Sequence, residues 1–146
     1  MGRNRCGKYG SSELDAGSEP LVFNIDHTAI KNRNYRTTIW TGEHLQLTLM
    51  SIPCGTDIGL EIHRNVDQFI YIVSGRGLVK TGKCENDLRV NKPVNSESSI
   101  IIPAGTWHNI VNIGKSPLKL YSIYAPPQHP AGTVHRTKEE AELSGD

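Results

Sequence analysis

The chain has 146 residues, 36% of them hydrophobic, which is one domain's worth and enough apolar material for a core without disulfides. Its 16 Lys and Arg against 15 Asp and Glu leave a formal charge of +1, so no general field favours nucleic acid or anionic lipid, and neither is expected as a partner. No apolar run approaches the roughly 18 residues of a membrane-spanning helix, and Cys6, Cys54 and Cys84 form an odd set without C-x-x-C spacing; reduced thiols in a soluble, cytoplasmic protein are expected.

Residues 1–19 are rich in Gly, Ser and charge without periodicity, and read as a flexible arm. From residue 20 to residue 125 short β-type runs follow one another, each cut by Gly, Pro, Asn or Asp, with no helical stretch long enough for a βαβ unit. The runs are Leu21–Ile25, Arg36–Trp40, His44–Ile52, Gly59–His63, Gln68–Ser74, Gly77–Thr81, Ser98–Ile102, Trp107–Asn112 and Leu118–Tyr124, a rhythm that predicts an all-β sandwich or barrel. Residues 126–146 form a Pro-rich tail. Within it Thr137 and Glu140 make a capping-box pattern that predicts a short terminal helix.

Chemistry concentrates in two stretches. In the first, Glu61 and His63 are two apart on a predicted strand, so their side chains leave one face and can grip one ion together. After four intervening residues Gln68 opens the next strand and can bring its amide oxygen beside them. In the second, His108 follows the Pro103-Ala104-Gly105 corner, so four groups would converge from three strands. Two imidazoles, one carboxylate and one amide oxygen suit one divalent ion of borderline type (Zn, Fe, Mn or Ni) and leave positions open for a substrate. Glu61 has two open roles, metal ligand and general base.

These stretches resemble the two signature motifs of the cupin superfamily. The first motif is matched at Gly55, His63 and Gly75, but Glu61 stands at its first histidine and Gln68 at its glutamate. The second is matched at Pro103, Gly105, His108 and Asn112, with Glu97 at its leading glycine. The resemblance implies a double-stranded β-helix, or jelly-roll, barrel over residues 20–125. The chain looks like the small cupins described as mannose-6-phosphate-isomerase-like or RmlC-like, a likeness of scaffold that does not transfer a substrate.

With Gln68 inward, alternation sends Ile70 and Ile72 inward and Phe69, Tyr71 and Val73 to the outer face, where a second copy is the expected cover and a homodimer the result. If the run from His44 faces inward on its even positions, His44 becomes a second candidate proton carrier and Gln46 a substrate contact; the opposite register buries Leu45, Leu47 and Leu49 instead. Arg36 is a candidate for binding a substrate carboxylate or phosphate. His129 and His135, in the tail, are expected in solvent. Three functions fit: a metal-dependent enzyme, such as an isomerase, acting on a sugar, sugar phosphate or keto acid; a non-haem Fe(II) dioxygenase; and a non-catalytic ligand- or metal-binding module.

Overall fold

The computed structural model describes residues 15–145. Two antiparallel sheets face each other. The larger is built from β1 (Arg36–Thr41), β2 (Gln46–Ile52), β3 (Asp67–Ser74), β6 (Ser99–Ile102), β8 (Leu118–Ala125) and the two-residue β9 (Val134–His135), in the order β6-β3-β8-β2-β1-β9. The smaller holds β4 (Gly77–Gly82), β5 (Val90–Val94) and β7 (Trp107–Asn112), in the order β5-β4-β7. Helices α1 (Ile25–Lys31) and α2 (Lys138–Ser144) are both short, and no helix among the described residues is long and apolar enough to cross a membrane. This is the expected all-β jelly roll with a short C-terminal helix.

Alternation along the strands decides what lies between the sheets. Gln68, Ile70 and Ile72 of β3, and His108, Ile110 and Asn112 of β7, are buried as the period-two reading requires. Met50 and Ile52 of β2 join Ile70, Ile72, Ile110, Leu118 and Leu120 in one apolar cluster, which fills the barrel. Leu47 and Leu49 point the other way, into a second cluster with Ala29 and Ile39 against which Phe23, Ile25 and Tyr121 pack. The two registers open for β2 in the sequence are thereby decided, and both faces of the strand are buried.

That second cluster corrects the reading of residues 21–25. The Leu-Val-Phe-Asn-Ile alternation does not make a strand; Asn24 instead caps α1 by accepting from the His27 N–H at 2.9 Å. Ile25 and Ala29, one helical turn apart, then lay α1 over the outer face of the larger sheet. Part of the apolar face expected to need a second copy is covered by the chain itself.

Two further elements differ from expectation. Gly59–His63 is not a strand: Gly59 takes φ +86°, which breaks the extended run, and only isolated bridges at Asp57 and Glu61 attach it to β7. The exposed edge strand β5 is polar and contains Pro93, so it lacks the apolar alternation by which a strand is recognised. Of the arm expected over residues 1–19, residues 1–14 and with them Cys6 lie outside the described residues. Residues 15–19 run along β1: the Ala16 N–H donates to the Ile39 carbonyl and Asp15 accepts from the Thr41 hydroxyl.

The tail is bound to the barrel. Its α2 starts at the Thr137 cap, with the Glu140 carboxylate accepting from the Arg136 N–H, close to the capping box expected there. Lys138 pairs with Asp57 of the barrel.

Candidate metal centre

Glu61 is held by backbone. Its N–H donates to the His108 carbonyl at 3.0 Å and its carbonyl accepts from the His108 N–H at 2.9 Å. His63 is fixed to the same corner, since its carbonyl accepts from the Gly105 N–H at 2.8 Å. The Pro103-Ala104-Gly105 turn therefore locates one ligand candidate by the main chain and delivers the other three residues later.

The side chains meet at one oxygen. Glu61 Oε1 lies 3.3 Å from His63 Nε2 and 3.3 Å from His108 Nε2, and the ligand atoms of the three residues all fall within 4.8 Å of one another. His108 Nδ1 is 2.9 Å from the Thr106 carbonyl, an acceptor, so the ring proton sits on Nδ1 and the Nε2 lone pair faces the carboxylate. That Nε2 is buried and makes no hydrogen bond, its approach to Glu61 lacking the required geometry. A lone pair facing an anion at that distance calls for a cation between them. Two donor atoms each about 2.1 Å from one ion stand about 3.0–3.4 Å apart for right-angled to tetrahedral arrangements, which matches the observed spacing.

Charge agrees with this. Burial pushes the Glu61 carboxyl up, but whenever no ion lies between them, hydrogen bonding and positive charge from the His108 and His63 side outweigh it and hold the pKa at about 2, the part a bound cation would take over. Glu61 is an anion at neutral pH. Gln68, the fourth expected ligand, is buried on β3; its amide nitrogen donates to Ser122 at 3.2 Å, while its Oε1 is buried without a partner among the described residues. It stands opposite Tyr124 in the β3–β8 register, and the Tyr124 ring meets the His63 ring edge-on at 5.8 Å. The residues present fit a divalent ion.

A family profile described as Cupin domain matches residues 48–124. The chain belongs to the cupin family. Among curated proteins, this cupin is 55% identical over 132 residues to the uncharacterised protein YrkC of Bacillus subtilis (strain 168), covering 90% of this chain and 71% of that one. It is 40% identical over 129 residues to the uncharacterised protein L612 of Acanthamoeba polyphaga mimivirus, covering 88% and 79%. The crystal structure of BH2720 from Bacillus halodurans is similar to the cupin at 55% identity and a TM-score of 0.89, covering 89% of this chain and 98% of that one.

The remaining site candidates are placed as follows. Arg36 is buried and lines, with Tyr35, Ile58 and Glu61, a cleft of about 330 Å³ whose far wall is Lys138, Ala141 and Glu142 of α2. Its Nη1 donates to His135 Nδ1 at 3.0 Å, and its Nε has no partner among the described residues. His44 corrects the sequence reading: it lies in the turn before β2, its side chain 87% exposed and beside Glu43, not on the barrel's inner face. Gln46 does face inward, but every polar atom of its amide is engaged. Its Oε1 accepts from the N–H groups of Gln128 and His129, and its Nε2 donates to the His129 carbonyl and the Thr41 hydroxyl. That leaves nothing for a substrate; Gln46 anchors the tail.

His129 and His135 are buried, not solvated as expected, because Gln46 and Arg36 draw the tail back onto the barrel. Sequence reasoning also missed Tyr35 and α2 as parts of the cleft. Asn112 proves to be a turn amide, donating to the carbonyls of Ile52 and Ser116. Cys54 and Cys84 are free and exposed.

Proposed function

We propose that the protein is a metal-dependent enzyme that acts on a small, anionic, oxygenated compound, a sugar phosphate or keto acid, by isomerisation or a related proton transfer. The observation that carries this reading is the convergence of Glu61, His63 and His108, of which Glu61 also lines a cleft that contains Arg36. Glu61, His63, His108 and the free Oε1 of Gln68 would hold the ion. When bound, a divalent ion supplies Lewis acidity to a substrate carbonyl or hydroxyl.

The rest is the work of the chain. Arg36 offers the cleft a buried guanidinium whose Nε has no partner among the described residues, which suits a substrate carboxylate or phosphate. Glu61 Oε1 is the oxygen that faces both imidazoles at 3.3 Å, so Oε2 is the atom left to exchange a proton with the substrate. A carboxylate with a pKa of about 2 is a weak base, which supports the ligand role as the main one and confines proton transfer to strongly acidified C–H or O–H groups. α2 and Tyr35 wall the cleft and limit water.

A second reading is favoured by the donor set itself: two histidines and one carboxylate resemble the facial triad of non-haem Fe(II) oxygenases. Elemental analysis of gently purified protein, followed by a screen of sugar phosphates and keto acids with and without O2, tests both. Turnover without O2 supports the first reading. Substrate-dependent O2 uptake with retained iron replaces it by the second, and metal binding without turnover of any compound overturns both.

Two further expectations belong here. The free thiols of Cys54 and Cys84 are consistent with the cytoplasm. A homodimer would use the part of the outer face that α1 leaves open, where Ile101, 68% exposed, pairs with Phe69, itself paired with Ile123 across three strands. Light scattering on the wild type and Ile101→Asp checks this; a monomeric wild type rejects it.

A further inference from the structure

A second cleft, of about 490 Å³, lies between the barrel and the start of α2 and does not include the metal-centre residues. Its charge is one-sided: Arg33, Lys119, Arg136 and Lys138 line it, against Glu139 alone. The whole chain carries a formal charge of only +1, so this is a local concentration and not the general surface. Lys138 is matched by Asp57. The other three cations are not matched. Among the described residues the side chains of Arg33 and Arg136 make no ion pair or hydrogen bond, and the Lys119 ammonium donates only to the Asn32 carbonyl.

Lys119 is half-buried on β8, and burial together with the charge of Arg33 lowers its pKa. The folded protein thus holds like charges together around a concavity in which Glu139 is the one acid among the lining residues and no carboxylate pairs with Lys119, and a bound anion would relieve the repulsion. A hydroxyl donor is also at hand in Ser51, while Pro53, Pro117 and Tyr35 give the cleft an apolar wall. Its volume falls within the range of small-molecule sites.

We propose that this cleft binds a phosphorylated small molecule, with Arg33, Lys119 and Arg136 on the phosphate and the Pro53, Pro117 and Tyr35 wall against the body of the ligand. Two guanidinium groups and an ammonium match the three terminal oxygens of a phosphate monoester. The scale of the cleft and the near-neutral chain favour a small ester over a nucleic acid. The site is independent of the metal centre, although Tyr35 and Lys138 line both clefts.

Calorimetric titration of the full chain with inorganic phosphate and with AMP, at fixed ionic strength, tests this. A saturable binding event that depends on this cleft's cations is expected in metal-free protein, tighter for the ester because only it reaches the apolar wall. Arg33→Gln, Arg136→Gln and Lys119→Gln should each weaken binding about tenfold, the loss of one charge-assisted contact, whereas His63→Ala should leave it unchanged. The two arginines are exposed, so their variants are expected to fold. Chemical shifts at the Ser51 and Thr56 amides should move on titration of the wild type. Absence of saturation, equal binding by all variants, or loss of binding in His63→Ala would each overturn the proposal; the last would place phosphate at the metal centre instead. Failure of the metal reading leaves this result untouched, since no ion takes part.

Discussion

Glu61 and His108 are joined twice, by a reciprocal pair of backbone hydrogen bonds and by the approach of His108 Nε2 to Glu61 Oε1 at 3.3 Å. The main-chain bridge holds the two side chains in register before any ion arrives, so little reorganisation remains for binding. One ion per chain is expected on elemental analysis. Chelation should lower the thermal midpoint, since free ion at about a hundred times its dissociation constant stabilises the folded state by about 2.7 kcal/mol. His63→Ala and His108→Ala should abolish both the bound ion and the effect of chelator. Gln68→Ala, which removes a neutral donor, should weaken retention without abolishing it.

Gln46→Ala should be among the most destabilising single changes outside the hydrophobic core. It deprives the buried N–H of His129, and that of Gln128, of their acceptor, and the His129 carbonyl of a donor. Unsatisfied buried groups cost about 1–3 kcal/mol each, so a loss of about 3 kcal/mol is expected in urea unfolding. Metal content should persist, because no ligand candidate is touched. If this variant kept full stability, the tail would not be anchored through Gln46.

Glu97 occupies the left-handed region at φ +74°, in the turn where its N–H donates to the Ile72 carbonyl at 2.8 Å. A side chain there costs about 1–2 kcal/mol, part of which glycine gives back through the greater freedom of the unfolded chain. Glu97→Gly should therefore stabilise the protein by about 1 kcal/mol, read as a higher denaturation midpoint at unchanged slope. Glu97→Ala keeps the strain and should bring no such gain.

Tyr124 contributes to the alkaline limit together with Tyr35 and Tyr121, whose phenols burial also pushes up. Burial in the barrel, with the Glu61 charge adding to it, pushes the phenol from 10.0 up to about 12. A group whose pKa is raised by folding contributes its full stability below the unfolded value and loses it as pH climbs through the folded one. Stability should thus decline between about pH 10 and 12, and Tyr124→Phe should flatten that decline. Phenolate absorbance should show the same number of tyrosines titrating near pH 10 in the native wild type and in native Tyr124→Phe, and one more in the wild type once both are unfolded.

The barrel and its metal-ligand candidates were legible because each rests on local signals. Strand alternation put Gln68, Ile70 and Ile72 inside, and the Pro103–Gly105 corner announced His108. Even Glu97 could be read, since it stands where the second motif wants a glycine and takes the backbone angle glycine favours. What the sequence concealed depends on contacts between distant segments. Nothing near Gln46 says that its amide will hold residues 128 and 129, 82 and 83 positions away. Arg36 and His135 are 99 positions apart, and neither carries a mark of the other. α1 was hidden for a different reason: its cap and its i, i+4 apolar pair overlie a short alternation that also fits a strand.

The cleft beside Glu61 takes its outer wall from Lys138, Ala141 and Glu142, whereas Glu61, His63 and His108 all come earlier in the chain. Under the proposed function, capture of an ion and confinement of a substrate would fall to different stretches of polypeptide. A change at Lys138, Ala141 or Glu142 would then reshape what the cleft accepts while leaving the three ligand candidates untouched.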